Sequence, residues 1–196
     1  MTTVAAIVAV IALLATYLTW TAERIDRLNL RVERADASLD AQLVRRSAAA
    51  ETLAVLAAER GLLPARQLAD LRAMAAEARA GAGDRWATEN ALTGRILECV
   101  LGLRFTPPAV GAEDLTPVGA QDLTPVLADL AAASQRVDLA RSFHNQAVRD
   151  AREHRARVAP RLLHLAGNAA LPEFIDMDDA TLPEVPEHAT SRADLP

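Results

Sequence analysis

The first 22 residues contain no ionisable side chain, and the first charged residue is Glu23. At about 1.5 Å per residue, an apolar helix of this length reaches the roughly 30 Å thickness of a bilayer's hydrocarbon core. Tyr17 and Trp20 lie at its C-terminal end, where aromatic rings favour the headgroup region. The pattern predicts a transmembrane anchor over residues 1–22 that contacts the lipid bilayer through Val4, Ile7, Ile11, Leu14, Tyr17 and Trp20.

The alternative to an anchor is a cleaved secretory signal peptide. Such a peptide has a basic segment before its apolar run and small residues at its cleavage site. Here only the α-amino group precedes the run, and Trp20, Thr21 and Ala22 fit a cleavage site poorly. A buried core helix is a weaker alternative, because no position in the run is suited to water. We therefore expect an uncleaved anchor.

The basic residues beside the span predict its orientation. Arg24, Arg27, Arg31 and Arg34 follow the span within about 15 residues, and no basic side chain precedes it. Loops rich in Arg stay on the cytoplasmic side of a membrane. We therefore expect the N-terminus outside the cell membrane and the rest of the chain in the cytoplasm.

After the anchor, apolar or small residues recur every three or four positions, which is the pattern of a long packed helix. The positions are Ile25, Leu28, Val32, Ala35, Leu39, Ala49, Leu53 and Leu56. Gln42 and Arg46 occupy the two places between Leu39 and Ala49 and interrupt the apolar stripe. The helix is predicted to run from the membrane to about Arg60, with Gly61 as its C-cap.

Three further helices follow. One fits Pro64 to about Ala80, a second begins at the N-cap Asp84 and ends near Leu103, and a third runs from Thr124 to about Val158. The predicted fold is all-α: an N-terminal transmembrane helix that continues into an antiparallel four-helix, coiled-coil-like bundle over residues 23–166.

Two segments rich in Pro differ from the helices. Residues 106–124 contain most of a doubled Asp-Leu-Thr-Pro-Val motif, and we expect a flexible surface loop, with a peptide ligand for a partner as the alternative. Residues 167–196 hold seven acidic residues and one Arg, and we expect a mostly disordered acidic tail. Its short Pro-Glu-Phe-Ile-Asp segment is a candidate for docking on the bundle.

Several stretches resemble the LemA family of single-span bacterial membrane proteins. Leu-Asn-Leu-Arg-Val-Glu-Arg-Ala at 28–35 and Leu-Asp-Ala-Gln-Leu-Val-Arg-Arg at 39–46 resemble the family's first long helix. Arg-Val-Asp-Leu-Ala-Arg-Ser-Phe-His-Asn-Gln-Ala-Val-Arg-Asp at 136–150 resembles its last helix. Pro160 followed by Leu-Pro-Glu-Phe at 171–174 resembles the end of the family's domain.

The resemblance implies a single span, an antiparallel helical bundle and no enzymatic activity. Members of the family are often linked to membrane stress and membrane proteases. The sequence also departs from the family, since Asp36 stands where Trp is usual and Ala49, Ala50 and Glu51 replace an aliphatic-Pro stretch. The Pro- and Gly-rich segment before the last helix is an addition.

Composition excludes several kinds of chemistry. The chain has 196 residues, is 51% hydrophobic and 3% aromatic, carries a net charge of −5, and has one Cys and no Lys. A disulfide scaffold, a zinc site built on thiolates, a P-loop and a Schiff-base lysine are therefore excluded. The four His residues lack helical metal-ligand spacing, and Cys99 is expected to be a core residue. We predict no enzyme, cofactor, metal or small-molecule substrate.

Polar residues near the apolar stripes of the two long helices are the candidate interaction or register residues. Because these helices are predicted to lie antiparallel and close, the groups are expected to pair across the bundle and fix its register, with a partner-docking patch as the alternative. His144 is expected to be an interior histidine, with a pH-sensitive packing switch as its alternative role. The candidates are Asp40, Gln42, Arg45, Arg46, Arg141, His144, Asn145, Arg149 and Asp150.

The Arg-rich end of the last helix suits anionic lipid or nucleic acid. Nucleic acid is disfavoured by the scarcity of aromatic residues and the acidic net charge, and ordinary solvation is the simplest expectation.

The predicted function is a membrane-anchored interaction or scaffold subunit that assembles with another membrane complex or with itself. The alternative is a regulator or adaptor of a membrane protease or an envelope stress response.

Overall fold

The computed structural model describes residues 1–81, 83–105, 123–157 and 170–178. Over this part of the chain there are four helices and no strand: α1 (Thr2–Glu59), α2 (Ala65–Ala80), α3 (Arg85–Phe105) and α4 (Thr124–Arg155). The all-α fold class is therefore confirmed. The helix boundaries lie within a few residues of those predicted, with α4 ending at Arg155 rather than near Val158.

Helix α1 is 58 residues long because nothing within it interrupts the helical backbone. Its sequence contains no Gly and no Pro. It ends where Gly61 adopts the left-handed conformation, with φ at 62°. There the Gly61 N–H donates to the Ala58 carbonyl (3.1 Å) and the Leu62 N–H to the Ala57 carbonyl (3.0 Å). These two bonds satisfy carbonyls that the helix end would otherwise leave unpaired.

The start of α3 is fixed by the predicted N-cap. The carboxylate oxygen Oδ1 of Asp84 accepts hydrogen bonds from the backbone N–H groups of Trp86 (3.1 Å) and Ala87 (3.2 Å). These are among the free N–H groups of the first helical turn. Gly81 ends α2 in the left-handed conformation, with φ at 63°. The short turn between the two helices is thus set by one capping side chain and one glycine.

The N-terminal part of α1 is apolar and is exposed on every side, with residues 1–17 all exposed. Among the described residues, α1 is the one helix long and apolar enough to cross a membrane, and its most apolar window has a mean hydropathy of 2.1. Signal sequences and core helices of soluble proteins can match it in length and composition. Burial begins at Thr21, near the end of the apolar run, and continues at Ile25 beyond it.

By its internal contacts, the chain divides into two units. Unit 1 comprises Met1–Leu39 and Ala140–Ile175, and unit 2 comprises Asp40–Leu139 and Asp176–Pro196. Helices α1 and α4 each contribute residues to both units.

In unit 1, α1 and α4 run antiparallel. The Arg31 guanidinium donates to Asp150 (3.0 Å), and that of Arg155 donates to the Asn29 side-chain oxygen (3.0 Å), so residue numbers rise along α1 as they fall along α4. The buried residues of this unit are Thr21, Ile25, Leu39, Ala140, His144, Ala147, Val148, Ala151, His154 and Ile175.

In unit 2, α2, α3 and parts of α1 and α4 share an apolar core. Ion pairs of Asp40 with Arg85 and of Arg46 with Glu89 show that α1 and α3 run in the same direction. The core comprises Ala49, Ala50, Leu53, Ala54, Ala57, Leu68, Leu71, Ala75, Leu92, Ile96, Cys99, Val100, Leu123 and Leu130. Burial raises the pKa of the Cys99 thiol, as suits a core residue.

Most of the predicted loop at 106–124 lies outside the described residues, as do 167–169 and 179–196 of the predicted tail. The domain boundaries therefore stay predictions. Residues 170–178 are described and belong to no helix or strand.

Candidate functional site

Helix α4 holds the segment Ala170–Ile175 of unit 1 through the side-chain amide of Asn145. The Asn145 Nδ2 donates to the Ile175 carbonyl oxygen (2.9 Å), and the Ile175 N–H donates to the Asn145 Oδ1 (2.9 Å). One amide side chain thus binds both backbone polar groups of Ile175, as a neighbouring strand would. These bonds are independent of the side chain at position 175.

Two arginines hold the same segment further along α4. Arg155 donates from Nη1 to the Ala170 carbonyl (2.9 Å) and from Nη2 to the Asn29 side chain of α1 (3.0 Å). The Arg152 guanidinium lies over the Phe174 ring, 5.2 Å from its centroid, a geometry typical of a cation–π contact. We refer to Asn145, Arg152 and Arg155 as the clamp.

The clamped segment belongs to no helix or strand and runs antiparallel to α4. Its start is bound at Arg155 and its end at Asn145. Ten residue steps of helix cover about 15 Å, and five steps of extended chain cover about 16 Å, so the two lengths match. The side chain of Ile175 is buried, with 6% of its surface exposed, whereas Leu171 and Phe174 are exposed. The clamp therefore binds the segment mainly by its backbone, and the segment has one buried aliphatic side chain.

A second polar site lies in the core of unit 2, where Arg46 of α1 pairs with Glu89 of α3. The Arg46 Nη2 lies 2.6 Å from the Glu89 Oε2, and Nη1 donates to the Thr93 hydroxyl oxygen (3.0 Å). Only 5% of the Arg46 side chain and 2% of the Glu89 side chain are exposed. Because removing either partner would leave a buried charge, the pair fixes which residues of α1 and α3 face each other.

Two buried polar atoms of α1 in unit 2 lack hydrogen-bond partners among the described residues. They are the Gln42 Oε1 and the Arg46 Nε. Buried polar groups without partners are costly.

The remaining candidates on α1 have different surroundings. Asp40 forms an ion pair with Arg85 of α3. Arg45 is exposed and lines a surface cavity together with Asp129 and Arg136 of α4. The sequence placed the partners of Asp40 and Arg46 on the last helix, and this choice was wrong, since both residues bind α3.

The candidates on α4 belong mostly to unit 1. Asp150 pairs with Arg31 of α1 and accepts a hydrogen bond from Gln146. His144 is buried, and its Nδ1 lies 3.5 Å from the Asn145 Oδ1. Arg149 is exposed and donates to Gln146, and Arg141 is half-buried. The structure brings His144 and Asn145 to the clamp.

Sequence reasoning missed Glu89 and Thr93 as site residues. Glu89 lies three residues before Leu92 and seven before Ile96, so it falls on the inner stripe of α3. That spacing was a usable signal of a buried acid. Arg152 and Arg155 were also missed, because they looked like ordinary residues of a solvated helix face.

His154 is a buried titratable group at the C-terminal end of α4. Burial is the largest cause that lowers its pKa, and the positive charges of Arg157 and Arg24 lower it further. Its Nε2 has no hydrogen-bond partner among the described residues. The neutral imidazole is therefore the form that suits the folded state.

Within the described ranges, no group of three or more His, Cys, Asp or Glu residues is arranged to hold a metal ion. Comparison with protein-family models, with curated proteins and with solved structures finds no match for this chain. The resemblance to the LemA family stays a prediction.

We predict that Arg46→Leu destabilises unit 2 by about 3–5 kcal/mol, because Glu89 would be left buried and unpaired. The double variant Arg46→Leu/Glu89→Leu should recover most of this loss, since it leaves no buried charge. Chemical denaturation in detergent micelles, followed by circular dichroism, measures both free energies of unfolding.

The matched control is Arg79→Leu, which breaks the ion pair with Glu51. Its two side chains are 41% and 40% exposed, so solvent screens the pair and the loss should be far smaller. A loss in Arg46→Leu no larger than that in the control would contradict a structural role for the buried pair.

We predict that acidification destabilises unit 1 through His154. Its pKa in the folded state lies below the ordinary value of 6.5, so the unfolded state binds this proton more readily. The contribution of His154 to stability is therefore complete above pH 6.5 and declines as the pH falls below that value. Free energies of unfolding measured across this range should fall less steeply for His154→Gln than for the native chain. Parallel curves for the two proteins would refute the assignment.

Proposed function

We propose that this chain is a membrane-anchored helical-bundle protein that acts as an interaction or scaffold subunit of a membrane complex. One observation carries the proposal: α1 runs unbroken from an apolar segment exposed on every side to the buried core positions of the bundle. The same helix continues without a break from the proposed span to the first packed residues of unit 1, Thr21 and Ile25.

The residues at the end of the apolar run support an anchor at a membrane surface. Trp20 is exposed, and the guanidinium of Arg24 lies 6.0 Å from its ring centroid. An aromatic ring beside a cation suits the headgroup region, where one part of the side chains is apolar and the other is hydrated. The Arg residues that follow the span favour a cytoplasmic bundle, which forms part of the proposal.

The proposal places the chain with the LemA-like single-span proteins that its helical stretches resemble. It assigns the bundle a role in assembly with a membrane protein or with further copies of the chain. A role beside a membrane protease or in a stress response fits the same architecture, and identification of a captured partner would separate these roles.

The anchor is tested by the intact mass of the chain purified from membranes. An uncleaved span predicts the full 20.9 kDa chain, retained in the membrane fraction after a high-pH carbonate wash. A mature chain that lacks the first 22 or so residues would show instead that the segment is a signal peptide. As a control, Leu14→Arg places a charge inside the span and should lower membrane retention.

The interaction role is tested by mild-detergent purification of the tagged native chain, with mass spectrometry and light scattering. A stoichiometric partner, or a defined homo-oligomer, is the expected result. A monomer without a stoichiometric partner would contradict the scaffold role. Protease digestion of the bundle from outside intact cells would contradict its cytoplasmic location.

A further inference from the structure

The clamp has the features of a peptide-binding site whose present ligand is the chain's own segment Ala170–Ile175. Three of its hydrogen bonds reach backbone atoms of the segment: the N–H and carbonyl of Ile175 and the carbonyl of Ala170. Backbone bonds of this kind bind any extended chain of the right direction, and side-chain contacts then select among sequences.

Two adjacent side chains supply that selection. Ile175 is the one buried side chain of the segment, and Phe174 before it lies under the Arg152 guanidinium. The clamp therefore favours an aromatic residue followed by an aliphatic one. Pro172 lies two residues before Phe174 and has no backbone N–H that would need a partner. It also restricts the residue before it to extended conformations.

The charge of the clamp further limits the class of peptide that it would bind. The clamp contributes two guanidinium groups, Arg152 and Arg155. The segment contributes an exposed acid, Glu173, and the next residue along the chain is Asp176. An acidic ligand thus complements the basic clamp, and complementary charge favours encounter and orientation.

We propose that the clamp is a binding site for an extended acidic segment of a partner protein that carries an aromatic–aliphatic pair, and that residues 170–175 occupy it in cis and compete with that partner. The proposal rests on the proposed interaction function and names its site. The cis segment is suited to exchange because it buries only one side chain within unit 1 and leaves Leu171 and Phe174 exposed.

The test uses the full chain in nanodiscs and a fluorescein-labelled peptide with the sequence of residues 170–176. In the native chain the cis segment competes at an effective concentration in the millimolar range, so the peptide should bind weakly. The variant Ile175→Asp should release the cis segment and leave the clamp intact. Fluorescence anisotropy is expected to show affinity about tenfold or more higher for this variant than for the native chain.

The clamp itself is tested in the Ile175→Asp background. Adding Asn145→Leu removes the amide and should weaken peptide binding by about tenfold or more. The matched control is Gln146→Leu, the exposed neighbour of Asn145 whose side chain donates to Asp150 of α4, and it should leave binding unchanged. A peptide with Asp in place of the Ile should not bind any variant.

Failure of the peptide to bind a folded Ile175→Asp chain, or equal binding with and without Asn145, would overturn the proposal. A second measurement applies even if Ile175→Asp does not fold. In the native chain, excess peptide should speed hydrogen exchange of the Ile175 amide and leave amides within α4 unchanged, and unaltered exchange at Ile175 would likewise overturn the proposal. If the peptide does not bind but the chain is still retained in the membrane and still assembles, the clamp proposal fails and the proposed function stands.

Discussion

The structure depends on the continuity of α1, because one helical backbone must satisfy two different surroundings. Along residues 2–17 every position is exposed, and the apolar character of this stretch suits lipid if it is the proposed span. From Thr21 and Ile25 onward burial is confined to one face, as packing against other helices requires. Since the helix has no Gly, Pro or other break, the orientation of the proposed span would fix the orientation of the buried face that follows it.

Polar contacts matter in this protein because many of its core side chains are small. Ala49, Ala50, Ala54 and Ala57 form much of the α1 contribution to the core of unit 2. Alanines bury little area and permit helices to slide or rotate at small cost, so they specify register weakly. The buried Arg46–Glu89 pair supplies a direction-specific contact in unit 2. In unit 1 the pairs Arg31–Asp150 and Asn29–Arg155 supply direction-specific contacts between α1 and α4.

Much of the fold follows from local sequence signals. The stripe of α1, the Asp84 cap and the left-handed Gly61 each reflect signals within one or two helical turns, and all are found where the sequence predicts them. The partner of Arg46 could not be predicted in this way, because periodicity shows which face of a helix is buried but not which neighbour covers it. The clamp was missed for a related reason. Asn145 binds a residue 30 positions away in a segment with no periodic pattern, so no local signal joins the two.

The most direct test of the account is a spin-label scan through residues 14–32 of the full chain in lipid, in a Cys99→Ala background that removes the single native cysteine. Accessibility to oxygen and to a water-soluble nickel complex reports whether each position faces lipid, water or protein. The account predicts lipid exposure on all faces as far as Trp20, followed by a period of about 3.6 residues with minima at Thr21, Ile25 and Leu28. Uniform access to the nickel complex between residues 20 and 28, with no helical period, would contradict a continuous helix joining span and bundle.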